Sequence, residues 1–198
     1  MDQKTLQRYQ EAAVEFIGKY EEIKPGRIYE LIAVFFKRNK LTLDIGCASG
    51  RDLSYLKGSG FKVEGLDAVP AFVDYCKEVL SDVPVYNDSL PKLSKIESDK
   101  YENVLLSAVF MHLPKESLVE AVENVVRITK PGGRIILSVR SADCETKREE
   151  DGRLFTPIDT KKFQQTFEEF GCRMMFEEDQ DDERTDKCWH NFVFEKSL

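Results

Sequence analysis

The sequence predicts an α/β fold built on a mostly parallel sheet, and three observations predict it. Short apolar runs of strand length alternate with longer stretches of helical periodicity. One run, Leu41-Thr-Leu-Asp-Ile45, passes through the small-residue turn Gly46-Cys-Ala-Ser-Gly50 directly into a helix. Three successive strand candidates then end in a carboxylate, at Asp44, Asp67 and Asp88. Ligands of open parallel sheets bind at the carboxyl ends of the strands, so these acids mark one edge.

Taken in order, residues 3–37 read as two helices broken at Pro25-Gly26. Leu6, Tyr9, Ala13, Phe16 and Ile17 fall at helical spacing in the first, and Ile28, Leu31, Ile32 and Phe35 in the second. Leu41–Ile45 is the first strand. In the turn after it, Gly46, Ala48 and Gly50 leave space for a ligand to lie on the backbone. The helix over 50–59 presents free N–H groups and a positive dipole end, which suit a carboxylate or phosphate. Phe61–Leu66 is the second strand, with Asp67 at its tip, where a carboxylate can accept from two ribose hydroxyls.

Val69-Pro70 opens the next helix, whose inward stripe is Phe72, Val73, Cys76, Val79 and Leu80. Val83–Tyr86 is the third strand, followed by Asn87-Asp88-Ser89. Asp88 fits an adenine-binding role and also an Asx turn. Residues 91–100 read as a polar loop or short helix. Glu102–Ser107 is the fourth strand. A helix from Pro114 to about Thr129, with Leu118, Ala121, Val122 and Val125 inward, stops at Lys130-Pro-Gly-Gly133. Arg134–Val139 is the fifth strand, and Arg140 emerges at its ligand edge. Residues 141–156 are charged and without periodicity, a loop beside the site. Thr156-Pro-Ile-Asp159 reads as a capping box for a helix running to Phe170. Cys172–Phe176 is a sixth strand, Glu177 to Lys187 an acidic turn, and Trp189–Glu195 the antiparallel seventh.

At 198 residues the chain is expected to form one domain with a substantial core. No apolar run approaches membrane-spanning length, and Met1-Asp-Gln-Lys-Thr does not read as a signal peptide. The five cysteines (47, 76, 144, 172 and 188) show no CxxC or metal spacing, so reduced thiols in a cytoplasmic protein are expected. The net charge of −7 resides in residues 141–188, which hold 15 acids against 8 bases. Such a face repels a phosphate backbone and disfavours a nucleic-acid substrate.

The segments Leu43-Asp44-Ile-Gly46-Cys-Ala-Ser-Gly50, Gly65-Leu-Asp67, Asn87-Asp88 and Lys130-Pro-Gly-Gly133 give the chain its family likeness. Over roughly residues 30–140 it resembles the class I, Rossmann-like S-adenosylmethionine-dependent methyltransferases. Residues 105–114 are similar to a bacterial subgroup of small methyltransferases of type 11/12. Ala48 stands where the family usually has glycine. Dinucleotide sites prefer a second glycine near Ala48 or Ser49 and lack the Lys-Pro-Gly-Gly turn.

The resemblance implies a three-layer sandwich with a seven-stranded sheet, S-adenosylmethionine as cofactor and S-adenosylhomocysteine as its product. It places Asp44, Gly46, Cys47, Ala48, Ser49 and Gly50 at the methionine end, with Arg51 near the methionine carboxylate. Asp67 would hold the ribose, with Ala68 and Val69 flanking the adenosine. Asp88 would hold the adenine amino group beside Ser89, and Ser107, Ala108 and Val109 would border the methyl group. Residues 1–38 would form a helical lid, bringing Tyr9 and Tyr20 toward ligand. Residues 39–140 would be the cofactor-binding half and 141–198 the substrate side.

Methyl transfer from a sulfonium is an in-line displacement that needs position and a dry pocket, with no metal and no covalent nucleophile. A base is needed only when the acceptor arrives protonated. His112, just after the fourth strand, is the candidate, and it also fits a helix-capping role. His190 and Cys47 read as structural residues. Arg140, Arg184 and Trp189 are candidates to line an acceptor pocket, where an arginine pair would suit a carboxylate. The Asn/Asp-Pro-Pro-aromatic signature of amino-directed nucleic-acid enzymes is replaced by Ser107-Ala-Val-Phe110. The expected acceptor is a small molecule, attacked through oxygen, nitrogen or sulfur, on a monomer or homodimer. The alternatives are a protein or RNA methyltransferase, a non-catalytic S-adenosylmethionine-binding scaffold and, more remotely, a nicotinamide-dependent oxidoreductase.

Overall fold

The computed structural model describes residues 1–140, 146–181 and 188–198. Nine strands are present there: β1 (Leu41–Ile45), β2 (Lys62–Asp67), β3 (Val85–Asn87), β4 (Tyr101–Ser107), β5 (Thr129–Arg140), β6 (Lys147–Arg148), β7 (Leu154–Phe155), β8 (Cys172–Asp181) and β9 (Cys188–Lys196). Seven of them form one sheet in the order β3-β2-β1-β4-β5-β9-β8, and β6-β7 is a separate small hairpin. β1 to β5 pair in parallel, and β9 runs antiparallel to both its neighbours. Strands covered on both faces must be apolar throughout. Val104 to Leu106 of β4 and Ile135 to Leu137 of β5 accordingly have no solvent exposure.

Seven helices are described: α1 (Gln3–Glu11), α2 (Ala13–Glu22), α3 (Gly26–Phe35), α4 (Arg51–Gly58), α5 (Pro70–Val79), α6 (Leu118–Ile128) and α7 (Thr160–Glu169). On one face α6 and α7 pack over Val104, Leu106, Ile135, Leu137, Val139, Phe192 and Phe194. On the other, α3, α4 and α5 cover Leu105, Ile136 and Val193. α1 and α2 rest on α5 through a smaller cluster of Tyr9, Ala13 and Phe16 with Val69 and Phe72. The strand order turns back between β1 and β4, and the carboxyl ends of those two strands open the crevice that topology reserves for ligand.

Five local expectations differ from the structure. The first predicted helix is two, because the backbone leaves helical geometry at Ala12. Residues 91–100 are not simply polar. Leu93 and Ile96 are buried in the main core, and the Arg127 guanidinium donates to the carbonyls of Lys92, Leu93 and Ile96. Val79, expected inside, is about half exposed at the end of α5. Asp159, not Thr156, caps α7 by accepting from the Lys162 N–H, while Thr156 is buried and donates to Leu113 O. The stretch from Glu177 to Asp181 is no turn but the end of β8, paired through Asp181 with Cys188. It lies at the sheet edge, where charged side chains stay solvated while the backbone pairs.

Phe167 is fully buried and stacks on Phe194 with centroids 4.2 Å apart, joining α7 to the sheet. Phe167→Ala should cost about 3–5 kcal/mol in urea unfolding, the range for a truncated buried aromatic. Phe170→Ala, at a partly buried position, should cost clearly less.

Candidate active site

The turn between β1 and α4 is shaped by backbone hydrogen bonds. Gly46 and Cys47 both donate to Leu66 O, at 2.7 and 3.1 Å. Gly46, Ala48 and Gly50 all have positive φ, at 77°, 44° and 76°. A Cβ on Gly46 would stand 2.7 Å from Val109 Cγ2, so this position needs glycine for both conformation and space. Ala48 accepts the left-handed conformation at some cost in strain. Gly50 is the N-cap of α4 with no side-chain partner, which leaves the first N–H groups of that helix to the cleft.

Asp67 bridges this turn to the next one. Its Oδ2 accepts from the Ala48 N–H at 2.9 Å and its Oδ1 from the Val69 N–H at 2.8 Å. It is 5% exposed, and burial pushes its carboxyl up to about 6 against the opposing pull of those N–H groups. Asn87 donates to the carbonyls of Asp67 and Ala68 and fixes the loop between them. Asp44 is 1% exposed, and its Oδ2 is buried without a hydrogen-bond partner. Burial and the nearby Asp52 carboxylate hold Asp44 well above the usual carboxylate range.

Three residues expected at this edge are engaged within the chain. Arg51 forks onto Asp52 through Nε and Nη2, each at 2.8 Å, and its Nη1 reaches toward the carbonyls of Tyr20 and Ile23. The carboxylate partner foreseen for Arg51 is thus already supplied internally. Asp88 turns its carboxylate onto nearby backbone, accepting from the Ser89 N–H at 2.8 Å and the Lys95 N–H at 2.7 Å. Arg51, Asp88 and Ala108 nonetheless all line the cleft. Ala108, with φ of 62°, donates to both the carbonyl and the hydroxyl of Ser138, each at 3.1 Å. Cys47 is buried against Cys76, and that thiol contact and desolvation push its pKa up, which suits packing rather than attack.

The same cleft, of roughly 1170 Å³, extends past the β4 tip. His112 lies at its wall and is 7% exposed. Its Nδ1 is 2.9 Å from Leu154 O, an acceptor only, which assigns the ring proton to Nδ1. Nε2 then accepts from the Tyr9 hydroxyl at 3.1 Å. Tyr20 and Arg153 in turn donate to Tyr9, at 3.4 and 3.2 Å. Burial, reinforced by Arg153 and Arg140, pushes His112 down to about 4, so the imidazole is neutral at pH 7.

Arg140 lies 3.7 Å from the Phe155 ring centroid and pairs with Glu149 at 2.6 Å, while its Nε is buried without a partner. Trp189 and Asn191 enter the wall from β9. His190 points to Asp179, away from the residues that line the cleft. Arg184 and Cys144 lie outside the described residues. The sequence reading missed Arg153, Phe155, Ser138 and Asn191. Arg153 and Phe155 come from the aperiodic stretch, where the pair Leu154-Phe155 was the only apolar signal. Ser138 and Asn191 interrupt apolar strands and share a register position, which β pairing alone reveals.

Residues 43–137 match a family described as a methyltransferase domain. Solved structures share the fold. A 1,6-didemethyltoxoflavin-N1-methyltransferase from Burkholderia thailandensis, with S-adenosylhomocysteine bound, is 14% identical with a TM-score of 0.77 over 98% of this chain and 88% of that one. An S-adenosylmethionine-dependent methyltransferase from Methanosarcina mazei is 13% identical with a TM-score of 0.74 over 89% and 99%. A curated relative, Hemagglutinin 1 of Eikenella corrodens, is 26% identical over 106 residues, which is 52% of this chain and 35% of that protein. The chain therefore spans about a third of the length of that relative. The matched stretch contains the glycine turn and the acids Asp44, Asp67 and Asp88, so this part of the chain is similar to a methyltransferase domain, and the whole chain shares the fold of the structures above. No helix among the described residues is long and apolar enough to cross a membrane.

The raised Asp67 pKa sets a pH dependence. A carboxyl held above its unfolded value stabilises the fold when protonated, and that contribution is lost as pH rises through about 6. Thermal unfolding of the ligand-free protein should show stability falling between pH 4 and 7, with a shallower slope in Asp67→Ala. His112 should give no titration step between pH 6 and 8 by NMR.

Proposed function

We propose that this chain transfers the methyl group of S-adenosylmethionine to a small molecule, through oxygen, nitrogen or sulfur. One observation carries the reading: the glycine-turn edge and a pocket of aromatic and cationic side chains share one cleft. α1 and the β6-β7 hairpin are laced together over it. Both carboxylate oxygens of Asp2 accept from Arg148 at 2.9 Å, and the Leu154 N–H donates to Thr5 Oγ1 at 2.8 Å. A pocket roofed by its own chain suits a compact acceptor better than a polymer. The roof is the lid we assign to the N-terminal helices.

The residues fit the cofactor. Asp44 Oδ2 is a buried acceptor without a donor, and an α-ammonium group is a donor of the required charge. Backbone from Gly46 to Gly50 would cradle the methionine end. Each Asp67 oxygen accepts one backbone N–H and keeps a lone pair for a ribose hydroxyl. Ala68 and Val69 would flank the adenosine, Asp88 and Ser89 the adenine edge, and Ser107 to Val109 the transferring group. Arg51 would act indirectly, by holding the end of α2 over the cleft.

The bound cofactor supplies an activated methyl group on a sulfonium. The protein's part is to orient the acceptor and exclude water. A histidine pushed to about 4 holds a proton poorly at pH 7, so His112 serves as a positioning residue rather than a general base. Its Nε2 fixes the Tyr9 hydroxyl, which with Arg140, Arg153 and Trp189 would orient the acceptor.

The test is calorimetric titration with S-adenosylhomocysteine, followed by labelled-methyl transfer into fractionated cell extract. Label in the low-mass fraction is expected. Label in protein or RNA overturns the small-molecule assignment, and binding without transfer to any fraction supports a scaffold. Asp67→Ala should weaken S-adenosylhomocysteine binding by about 1–3 kcal/mol, the loss of buried hydrogen bonds to ribose. Tyr9→Phe should keep that affinity and lower the transfer rate on the order of 10-fold through lost orientation.

A further inference from the structure

A second constellation stands where β8 ends and β9 begins, next to the cleft wall that Asp181 joins. Asp179 lies directly opposite His190, and Asp181 directly opposite Cys188. Residues two apart on a strand and their cross-strand partners share one face, so these four side chains project together. One donor atom each from Asp179, Cys188 and His190 lies within 4.8 Å of the others. His190 Nδ1 and the Asp179 carboxylate are in direct contact. Asp179 is largely exposed, and Cys188 and His190 are partly so, which leaves the cluster open to solvent.

We infer that Asp179, Cys188 and His190 form a binding site for one divalent transition-metal ion of the zinc type. The donor set of one imidazole nitrogen, one thiolate and one carboxylate is among the sets that zinc selects. Tetrahedral zinc with bonds of about 2.0–2.3 Å holds its ligand atoms roughly 3–4 Å apart, so small side-chain rotations close the site. Three protein ligands leave the fourth position to water. The surroundings favour a cation, because the Asp179 and Asp181 carboxylates stand opposite His190 and Cys188 on the paired strand. The ion would tie the ends of β8 and β9 together next to Trp189, which lines the cleft from the opposite side of its strand. The site is not legible as a spacing along the chain because Asp179 joins Cys188 and His190 only across the strand pair.

Reduced protein freed of metal by a chelator is titrated with Zn²⁺ by calorimetry and with Co²⁺ by absorption. One equivalent of zinc should bind, and cobalt should show a thiolate-to-metal charge-transfer band. Cys188→Ser should abolish the band, and Cys188→Ser and His190→Ala should each weaken zinc at least 10-fold. S-adenosylhomocysteine affinity, unchanged, reports that the variants are folded and keeps this test separate from the proposed methyl transfer. Should either variant fail to fold, Asp179→Asn at the exposed ligand gives the same comparison. Absence of zinc uptake or of the band, or zinc held equally well by the variants, overturns the site and leaves Asp179 and His190 as a hydrogen-bonded pair.

Discussion

The Asp67 carboxylate is the constraint on which the rest of the site depends. It accepts from Ala48 on one turn and Val69 on the next, and so fixes the ends of β1 and β2 relative to each other. Removing it would leave two N–H groups without partners in a buried place, which a folded protein rarely tolerates. The tie comes at a cost in desolvation, visible in its raised pKa. The same oxygens border the cleft, so one side chain serves the backbone and remains an acceptor for a ligand.

Desolvation governs the other titratable groups of the cleft too. Asp44 is held toward its neutral form and His112 kept neutral by the same low-dielectric surroundings. An acid with an orphaned oxygen is an unstable arrangement by itself, and it becomes favourable when a cationic donor arrives. A cofactor bearing both an ammonium and a sulfonium is that kind of ligand. On the function proposed above, stability of the empty site and affinity for the cofactor would be set against each other at these acids.

The roof is assembled from two segments far apart in the chain by different forces. Aromatic packing seats α1 and α2 on α5, with the Tyr9 ring 4.7 Å from Phe16 and 6.0 Å from Phe72. Polar ties from Asp2, Thr5 and Tyr9 then bind the β6-β7 hairpin. Tyr9 belongs to both sets, which is why the N-terminal helices, the hairpin and His112 meet at one hydroxyl.

The sequence by itself determined the parallel sheet, its strand ends and the small-residue turn at their edge. Those features rest on local rules: apolar runs make buried strands, positive-φ turns need small residues, and acids at strand tips lie on one edge. Asp44, Asp67 and the Gly46–Gly50 turn were legible for that reason. Only the tertiary structure decided that Arg51 faces Asp52, that the Asp88 carboxylate accepts from the Lys95 N–H, and that His112 has both nitrogens engaged. It alone brought Arg153 and Phe155 onto the cleft and made the Glu177–Asp181 stretch a strand. Each of these depends on partners far along the chain or on strand register. Periodicity and spacing report which face a residue occupies, whereas long-range packing and desolvation decide what it meets there.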